Sequence, residues 1–155
     1  MIEMFDCVDE NDCVLGQESR EEVHRKGIYH RAVHIFARSD SGKWILQRRS
    51  AEKDTEPLLW TTTCSGHVDA GESYEDAAIR EFQEEVGVEV NHLELLELLR
   101  LSPCLETGNE FVRVYVNKNI VSPVPNLAEI LELEDFSISE INRLVESDKR
   151  RFCKS

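Results

Sequence analysis

The sequence predicts a layered domain of the α/β or α+β class. Short segments rich in β-branched and aromatic residues recur along the chain, and two well-separated segments of helical character interrupt them. Strands mixed with helices in this way pack as layers around a shared core. The chain has 155 residues, of which 41% are hydrophobic, and this is enough to form one core. We therefore expect residues 1–155 to form a single domain.

The first part of the chain is predicted to contain strands joined by polar turns. Residues 39–42 have the sequence Ser-Asp-Ser-Gly, which is typical of a hairpin turn. Residues 50–58 are polar and contain a proline, so they are predicted to form a loop. Strands are expected at 4–8, 14–17, 29–38, 43–48 and 60–64, with a short helix at 20–25 that ends at Gly27.

The best-defined element is a helix that begins near Ser73 and ends at Gly87. A serine hydroxyl can cap the free N–H groups of the first turn, and Asp76 three residues later supports the cap. A glycine fits the left-handed position that ends many helices. One face of this helix carries an apolar stripe that is expected to contact the core, formed by Ile79, Phe82 and Val86.

The opposite face of the same helix carries Glu81, Glu84 and Glu85. Residues three and four apart lie on one face, so these side chains project together within an arc of roughly 100° at 3.6 residues per turn. Clustered carboxylates repel one another unless a cation compensates, and hard divalent cations such as Mg²⁺ take oxygen ligands. Glu72, in the preceding loop, is placed to complete the cluster. The pattern therefore predicts a divalent metal site.

The second half of the chain is less regular. Residues 92–101 have the length of a strand but a leucine-rich composition, so their structure stays open at this point. Strands are predicted at 111–116 and 130–136, separated by Pro123, Pro125 and Asn126. A second helix is predicted at 137–146, capped by Ser137 or Ser139. The basic residues at 149–155 are expected to form a solvated tail.

Composition restricts the possible partners. The formal net charge is −13, which argues against non-specific binding to nucleic acid or to an anionic membrane. No apolar run approaches the length of a membrane span, and the N-terminus lacks a signal-peptide pattern. The five cysteines include no C-x-x-C pair, and their odd number favours reduced thiols in the cytoplasm. We expect a cytoplasmic protein with a small-molecule partner.

Residues 66–88 have the pattern G-x5-E-x7-R-E-x-x-E-E-x-G followed by an apolar residue. This pattern resembles the Nudix box, with every fixed position present. The resemblance implies a Nudix-type α/β/α sandwich with a mixed sheet, formed by a single Nudix domain over 1–155. It also implies hydrolysis of a diphosphate linked to another group, dependent on Mg²⁺ and sometimes on Mn²⁺.

The resemblance assigns a role to each fixed position of the box. The three glutamates on the helix and the carbonyl oxygen of Gly66 correspond to metal ligands. Arg80 corresponds to a residue that orients the glutamates, and Glu72 to a structural or outer-shell carboxylate. The residues that the resemblance assigns to catalysis are Arg80, Glu81, Glu84 and Glu85, and those that it assigns to the metal are Gly66, Glu81, Glu84 and Glu85.

A second resemblance extends over most of the chain. The segment LLWTTTCSGHVDAGES is similar to that of type I isopentenyl-diphosphate isomerases, a branch of the Nudix superfamily. Those enzymes have a catalytic cysteine directly before the Gly-His pair, where this chain has Ser65. The cysteine here is Cys64, one residue upstream, and neighbouring residues of a strand point to opposite faces. The isomerases also lack the full carboxylate set of the box, which this chain has.

Other positions match the isomerases outside the box. Arg49 and Lys53 correspond to residues that contact substrate diphosphate, and both offer charge-assisted donors, although surface ion pairs are an alternative. Three metal-site positions of the isomerases correspond to His30, His67 and Glu110. At the position of a further acidic ligand this chain has Gly108 instead. His30 and His34 share a strand face, and imidazoles favour transition metals over Mg²⁺. The sequence leaves two roles open for these histidines: they bind a second metal ion, or they are purely structural.

The most favoured function is hydrolysis of a phosphoanhydride in a nucleoside diphosphate linked to another moiety, or in a related organic pyrophosphate. Glu84 is the first choice as general base, with Glu129 and Glu110 as alternatives. The alternative functions are an isopentenyl-diphosphate isomerase and a non-catalytic nucleotide-binding module. A homodimer is expected from the family alone. The residues expected around the substrate are Arg49, Lys53, His67, Glu110 and Glu129.

Overall fold

The computed structural model describes residues 2–149 and 152–153. This part of the chain forms a two-stranded and a seven-stranded sheet with three helices. The strands are β1 Met4–Val8, β2 Val14–Ser19, β3 His30–Arg38, β4 Trp44–Arg49, β5 Trp60–Thr61, β6 Cys64–His67, β7 Leu95–Leu101, β8 Glu110–Ile120 and β9 Ile130–Phe136. The helices are α1 Arg20–Lys26, α2 Tyr74–Val86 and α3 Ile138–Ser147.

The large sheet is mixed. Its strands follow the order β5-β4-β3-β8-β7, with β6 paired to β3 and β9 paired to β4. The central pair β3–β8 is parallel, and the other described pairs are antiparallel. Strands β1 and β2 form a separate antiparallel ribbon. The predicted α/β class with a mixed sheet is confirmed.

Helices cover both faces of the large sheet. Val33 and Ile35 of β3 pack in a buried cluster with Phe82 of α2. Phe36 of the same strand instead packs with a cluster that contacts Leu144 of α3. Successive residues of a strand point to opposite faces, so α2 and α3 lie on opposite sides of the sheet. The architecture is the expected α/β/α sandwich.

The ends of α2 agree with the prediction from sequence. The hydroxyl oxygen of Ser73 accepts a hydrogen bond from the backbone N–H of Asp76 at 3.1 Å. Gly87 has a φ of 66°, and its N–H donates to the carbonyl oxygen of Gln83 at 3.0 Å. Both ends of the helix are therefore fixed by local interactions, which determines where its glutamates stand.

Two predictions about local structure were wrong. The predicted strand at 60–64 is two short strands, because β5 pairs with β4 whereas β6 pairs with β3. The C-terminal run is not wholly solvated, because Phe152 packs beside Trp60 and Cys153 N–H donates to the Trp60 carbonyl oxygen. Residues 150, 151, 154 and 155 of that run lie outside the described residues. The short helix predicted at 20–25 is confirmed as α1, which ends at Gly27.

The sequence did not decide the secondary structure of residues 92–101, and the structure shows the strand β7 from Leu95 onwards. Tertiary pairing with β8 decides between strand and helix here. Among the described residues, no helix is long and apolar enough to cross a membrane.

We expect Phe82→Ala to destabilise the fold strongly. The Phe82 side chain is fully buried between α2 and the sheet, and truncating such a residue costs about 3–5 kcal/mol of unfolding free energy. The neighbouring Gln83 is exposed, so Gln83→Ala should change that free energy by no more than about 0.5 kcal/mol. Denaturant unfolding of both variants measures this. Similar losses in the two would contradict the orientation of α2.

Candidate active site

One open cavity of about 810 Å³ brings the predicted site residues together. It lies where β6, the C-terminal half of α2 and the loops after β4 and β7 meet, and its lining is mostly polar. All ten residues predicted to bind metal or substrate or to act in catalysis line it, although they come from positions 49 to 129. They are Arg49, Lys53, Gly66, His67, Arg80, Glu81, Glu84, Glu85, Glu110 and Glu129.

Gly66 and Glu81 are in the closest contact of this cavity. A Cβ atom added to Gly66 would lie 2.1 Å from the carboxyl carbon of Glu81, so a side chain at this point of β6 would displace the Glu81 carboxylate. Burial raises the pKa of Glu81 to about 7 against the opposing effect of Arg80, and the carboxylates of Glu85 and Glu84 contribute to the rise. A cation placed here would relieve the repulsion among these carboxylates.

Arg80 connects the loop, the strand and the helix at this site. Its guanidinium donates to both carboxylate oxygens of Glu72 at 3.0 and 2.9 Å and to Glu81 Oε1 at 2.7 Å. It also donates to the backbone carbonyl oxygen of His67 at 3.0 Å. These bonds raise the pKa of Arg80 above its usual range, with the Glu72 hydrogen bond as the largest cause. Through these bonds Arg80 fixes Glu81 relative to Glu72 and to the His67 carbonyl group.

Glu84 and Glu85 lie at different depths. The Glu84 side chain is 60% exposed, whereas that of Glu85 is only 4% exposed. Glu85 Oε2 accepts hydrogen bonds from Gln47 Nε2 at 2.8 Å and from the backbone N–H of Ser65 at 3.3 Å. The prediction that all three glutamates face away from the apolar side of α2 was therefore wrong for Glu85, which packs towards the sheet.

Gln47 is a site residue that the sequence did not predict. It is a fully buried residue of β4, and its amide also donates to the Thr63 carbonyl oxygen at 3.3 Å. A buried carboxylate needs hydrogen-bond donors, and Gln47 supplies one to Glu85. The sequence gives little signal for this role, because Gln47 follows three apolar residues of β4 and precedes two arginines.

The two predicted cations have different surroundings. Lys53 Nζ contacts the Glu129 carboxylate and lies 3.9 Å from Glu85 Oε1, and burial lowers the pKa of Lys53. The Arg49 guanidinium instead donates to the backbone oxygen of Thr55 at 3.1 and 3.0 Å, within its own loop. Lys53 is thus part of the carboxylate network, whereas Arg49 lines the cavity beside it.

A second group of possible ligands lies at the other side of the cavity. One side-chain atom from each member lies within 4.8 Å of all the others, and the members are His24, His30, His67 and Glu110. His67 Nε2 is 3.1 Å from Glu110 Oε1, and His30 Nε2 is 3.5 Å from the same oxygen. Burial opposes ionisation of Glu110, but the neighbouring imidazoles outweigh it and lower its pKa to about 2. The Glu110 carboxylate is therefore ionised.

The tautomer of His30 points to a ligand. His30 Nδ1 is 2.9 Å from the carbonyl oxygen of Ile28, so Nδ1 carries the proton. His30 Nε2 is buried without a hydrogen-bond partner. Imidazole nitrogens and one carboxylate form a donor set that suits a transition metal better than Mg²⁺. These residues fit such an ion, whereas the glutamates of α2 fit Mg²⁺.

His24 and His34 show the limits of the sequence pattern. His24, on α1, was not predicted as a site residue, because only the packing of α1 against β1 brings it to His30. Although it is exposed as a residue, partial desolvation of its ring and repulsion from His67 and His30 lower the pKa of His24 to about 4. His34 lines the cavity but lies outside the histidine group, and its Nδ1 is 3.2 Å from Thr62 Oγ1.

Cys64 and Ser65 point to opposite faces, as the sequence predicted. Cys64 is fully buried in the core between α2 and the sheet, and burial raises the pKa of its thiol well above its usual value. Ser65 lines the cavity. The position that holds a cysteine in the isomerases therefore presents a hydroxyl to the cavity here.

Comparisons with known proteins agree with this geometry. The family described as NUDIX domain matches residues 28–154. The Nudix hydrolase all7351 of Nostoc sp. is 36% identical over 132 residues, which cover 84% of this chain and 78% of that protein. Isopentenyl-diphosphate Delta-isomerase 2 of Photorhabdus laumondii is 29% identical, with 94% and 83% covered. The crystal structure of DR0079 from Deinococcus radiodurans superposes with a TM-score of 0.80 at 29% identity, over 94% of this chain and 90% of that one. The chain therefore belongs to the Nudix family of hydrolases.

Proposed function

We propose that this protein hydrolyses a phosphoanhydride bond in a small organic diphosphate, with Mg²⁺ as cofactor and Mn²⁺ as an alternative. The substrate class is a nucleoside diphosphate linked to another moiety, or a related organic pyrophosphate. The observation that carries the proposal is the meeting of the three α2 glutamates, Gly66 and Lys53 at one cavity. Carboxylates for a cation and an ammonium for phosphate oxygens are what such a substrate needs.

The residues that would hold Mg²⁺ are the Gly66 carbonyl, Glu81, Glu84 and Glu85. The fit rests on the close approach of Gly66 to Glu81 and on the burial of Glu81 beside Glu85 and Glu84, which raises its pKa. When bound, the ion would supply charge neutralisation on the diphosphate. Arg80 holds Glu81 in place by its hydrogen bond, and Gln47 holds Glu85 through Oε2, which leaves Oε1 facing Lys53 and the cavity.

Glu84 is the group that we assign as general base. It is the most exposed of the three glutamates, so water reaches its carboxylate, and its nearest described cation contact is Arg80 at 3.4 Å. The alternatives are already engaged, since Glu129 contacts Lys53 and Glu110 contacts His67. A largely exposed carboxylate can exchange its proton with water, which a general base requires.

Lys53 and Arg49 are assigned to the substrate diphosphate. The chain has a net charge of −13, so an anionic substrate needs local positive charge at the cavity. Lys53 meets this need beside the α2 glutamates, and Arg49 adds a second cation on the same wall. His67 and Glu110 would contact the substrate from the opposite side.

A second candidate function is an isomerase-like reaction on an allylic diphosphate. The observation that favours it is the donor group formed by His24, His30, His67 and Glu110, together with relatives named as isopentenyl-diphosphate isomerases. The burial of Cys64 away from the cavity and the complete glutamate set argue against it. Proton exchange from water into isopentenyl diphosphate tests this reaction directly. A non-catalytic module is disfavoured because no box glutamate is missing.

Removal of divalent ions should abolish hydrolysis. Without a cation the carboxylates at the cavity repel both one another and the anionic substrate. We expect EDTA to stop phosphate release from a panel of nucleotide sugars and dinucleotides, and excess Mg²⁺ to restore it. Full turnover in metal-free buffer would contradict the assignment of the α2 glutamates.

Glu84→Gln and Glu85→Gln should each lower kcat by at least about 10²-fold, which is the scale of a lost acid–base or electrostatic contribution. Glu75→Gln is the matched control, because Glu75 lies on the same helix and does not line the cavity. Steady-state kinetics and circular dichroism of the three variants separate loss of activity from loss of fold. Near-normal turnover in a folded Glu84 or Glu85 variant would remove that residue from the mechanism.

Lys53→Ala and Arg49→Ala should each raise KM by at least about tenfold, since hydrogen bonds to charged groups contribute about 1.5–3 kcal/mol and about 1.4 kcal/mol corresponds to tenfold. The effect should diminish as salt is added, because exposed charges are screened within about 10 Å at 0.1 M. Lys43→Ala is the control, since Lys43 pairs with Glu140 outside the cavity. An unchanged KM with a clear loss of thermal stability would show that these cations are only structural.

A further inference from the structure

The cavity has a floor on the face of the large sheet that is turned away from α2. Two cross-strand pairs of β3 and β6 form this floor, and all four residues line the cavity: His34 with Ser65, and Ala32 with His67. The intervening Val33 points the other way and packs in the core beneath α2. Cross-strand partners share one face of a sheet and have Cβ atoms about 4.5–5.5 Å apart. His34 and Ser65 therefore stand side by side on the floor.

A chain of hydrogen bonds fixes the tautomer of His34. The residue is only 7% exposed, and its Nδ1 is 3.2 Å from the hydroxyl oxygen of Thr62. The Thr62 hydroxyl donates its single proton to the carbonyl oxygen of Cys64 at 2.9 Å. Towards His34 this hydroxyl can only accept, so Nδ1 carries the proton and Nε2 keeps its lone pair. Within the part of the chain that the structure describes, Nε2 of His34 has no hydrogen-bond partner.

The His34 ring is a neutral hydrogen-bond acceptor. Burial is the largest cause that lowers its pKa to about 4, and Arg49 and His67 add to the lowering, whereas Glu110 and Glu56 oppose it. At neutral pH the lone pair on Nε2 therefore carries no proton. His34 is not a member of the donor group that fits a transition metal, so its Nε2 is available to a ligand in the cavity.

An acceptor at this point of the cavity requires a donor from the ligand. The oxygens of an ionised diphosphate only accept hydrogen bonds, so they cannot satisfy Nε2 of His34. A substrate hydroxyl can satisfy it, because a hydroxyl donates one hydrogen bond and accepts others. The Ser65 hydroxyl stands beside the ring and can donate to a second hydroxyl of the same ligand. Two adjacent hydroxyls therefore match the pair.

The pair lies next to the side of the cavity that we assign to phosphate. The backbone N–H of Ser65 donates to Glu85 Oε2 at 3.3 Å, and Lys53 Nζ is 3.9 Å from Oε1 of the same carboxylate. A diphosphate held by Lys53 therefore brings the group attached to it towards Ser65 and His34. In a sugar linked to a diphosphate, hydroxyls lie within a few bonds of the phosphorus, whereas an isoprenoid chain has none.

We propose that His34 and Ser65 form a diol-binding pair, which selects substrates that carry the vicinal hydroxyls of a sugar beside the diphosphate. His34 Nε2 accepts from one hydroxyl, and the Ser65 hydroxyl donates to its neighbour. The assignment deepens the proposed function and rests on it, because Lys53 and Arg49 must hold the diphosphate beside the pair. An isoprenoid diphosphate should be disfavoured, since a buried acceptor that loses water without gaining a donor is destabilising.

A matched pair of ligands tests the proposal. A ribonucleoside 5′-diphosphate and its 2′,3′-dideoxy analogue share the base and the diphosphate and differ only in the diol. Calorimetry of the full chain measures both dissociation constants with Ca²⁺ in place of Mg²⁺, since both ions take oxygen ligands, and phosphate release with Mg²⁺ gives kcat/KM. We expect the ribonucleotide to bind at least about tenfold more tightly, because two hydrogen bonds distinguish the ligands.

Variants of the pair should reduce this preference. His34→Phe keeps a ring of similar size and removes the acceptor, and Ser65→Ala removes the hydroxyl. Each should lower the ratio of the two dissociation constants by at least about threefold and leave the affinity for the dideoxy ligand unchanged. His92→Phe is the matched control, since His92 pairs with Asp76 outside the cavity. Thermal unfolding verifies that each variant is folded.

Thr62 variants distinguish hydrogen-bond recognition from ring size. Thr62 is not among the described residues that line the cavity, but its hydroxyl fixes the tautomer of His34. In Thr62→Val the ring proton can move to Nε2, so the ratio should fall as it does in His34→Phe. Thr62→Ser keeps the hydroxyl and should keep the ratio. Lower thermal stability with an unchanged ratio in Thr62→Val and His34→Phe would show that His34 is only structural.

The outcomes separate this pair from the proposed function. Equal or undetectable binding of the two ligands by the wild type would overturn the pair, as would wild-type ratios in folded His34→Phe and Ser65→Ala variants. Phosphate release from both ligands with equal kcat/KM would contradict the pair and leave the proposed function intact. A tenfold preference in binding, without metal-dependent phosphate release from any diphosphate in the panel, would support the pair and contradict the proposed function.

Discussion

The contact between α2 and β6 is the constraint on which the site depends. Glu81 approaches Gly66 so closely that a side chain at that position would displace its carboxylate, so the glycine lets the glutamate lie against the strand. Arg80 then joins the loop carboxylate of Glu72, the helix carboxylate of Glu81 and the carbonyl oxygen of His67 through one guanidinium. Because these groups belong to three different segments, the arginine fixes the helix, the loop and the strand relative to one another.

The depth of each carboxylate follows from the same contact. Once α2 lies against β6, Glu85 points towards β4 and into the core, where it is tolerated because Gln47 and the Ser65 N–H donate to it. Glu84 points along the cavity to water. Two residues that are neighbours in sequence therefore have different environments, one suited to holding a cation rigidly and the other to exchanging a proton.

β6 also separates two kinds of donor. Gly66 stands beside the oxygen-rich group on α2, whereas His67, the next residue, belongs to the nitrogen-rich group with His24, His30 and Glu110. Hard and borderline cations prefer different donors, so the two sides of the cavity would select different ions.

Much of the fold and of the site could be predicted because the signals are local. The caps at Ser73 and Gly87, the apolar stripe through Phe82, and the spacing of the glutamates all depend on residues within a few turns of one helix. Local chemistry also placed Cys64 and Ser65 on opposite faces of their strand. The sequence by itself thus determined the α/β class, the main helix and the character of the site.

Only the tertiary structure decided which distant residues meet. The bond of Gln47 to Glu85, the approach of His24 to His30, and the burial of Phe152 against Trp60 join residues whose separation in sequence carries no periodic signal. The leucine-rich segment after residue 92 is a strand because β8 supplies its hydrogen-bond partners, which composition could not reveal. These features depend on strand order and register, and non-local pairing sets both.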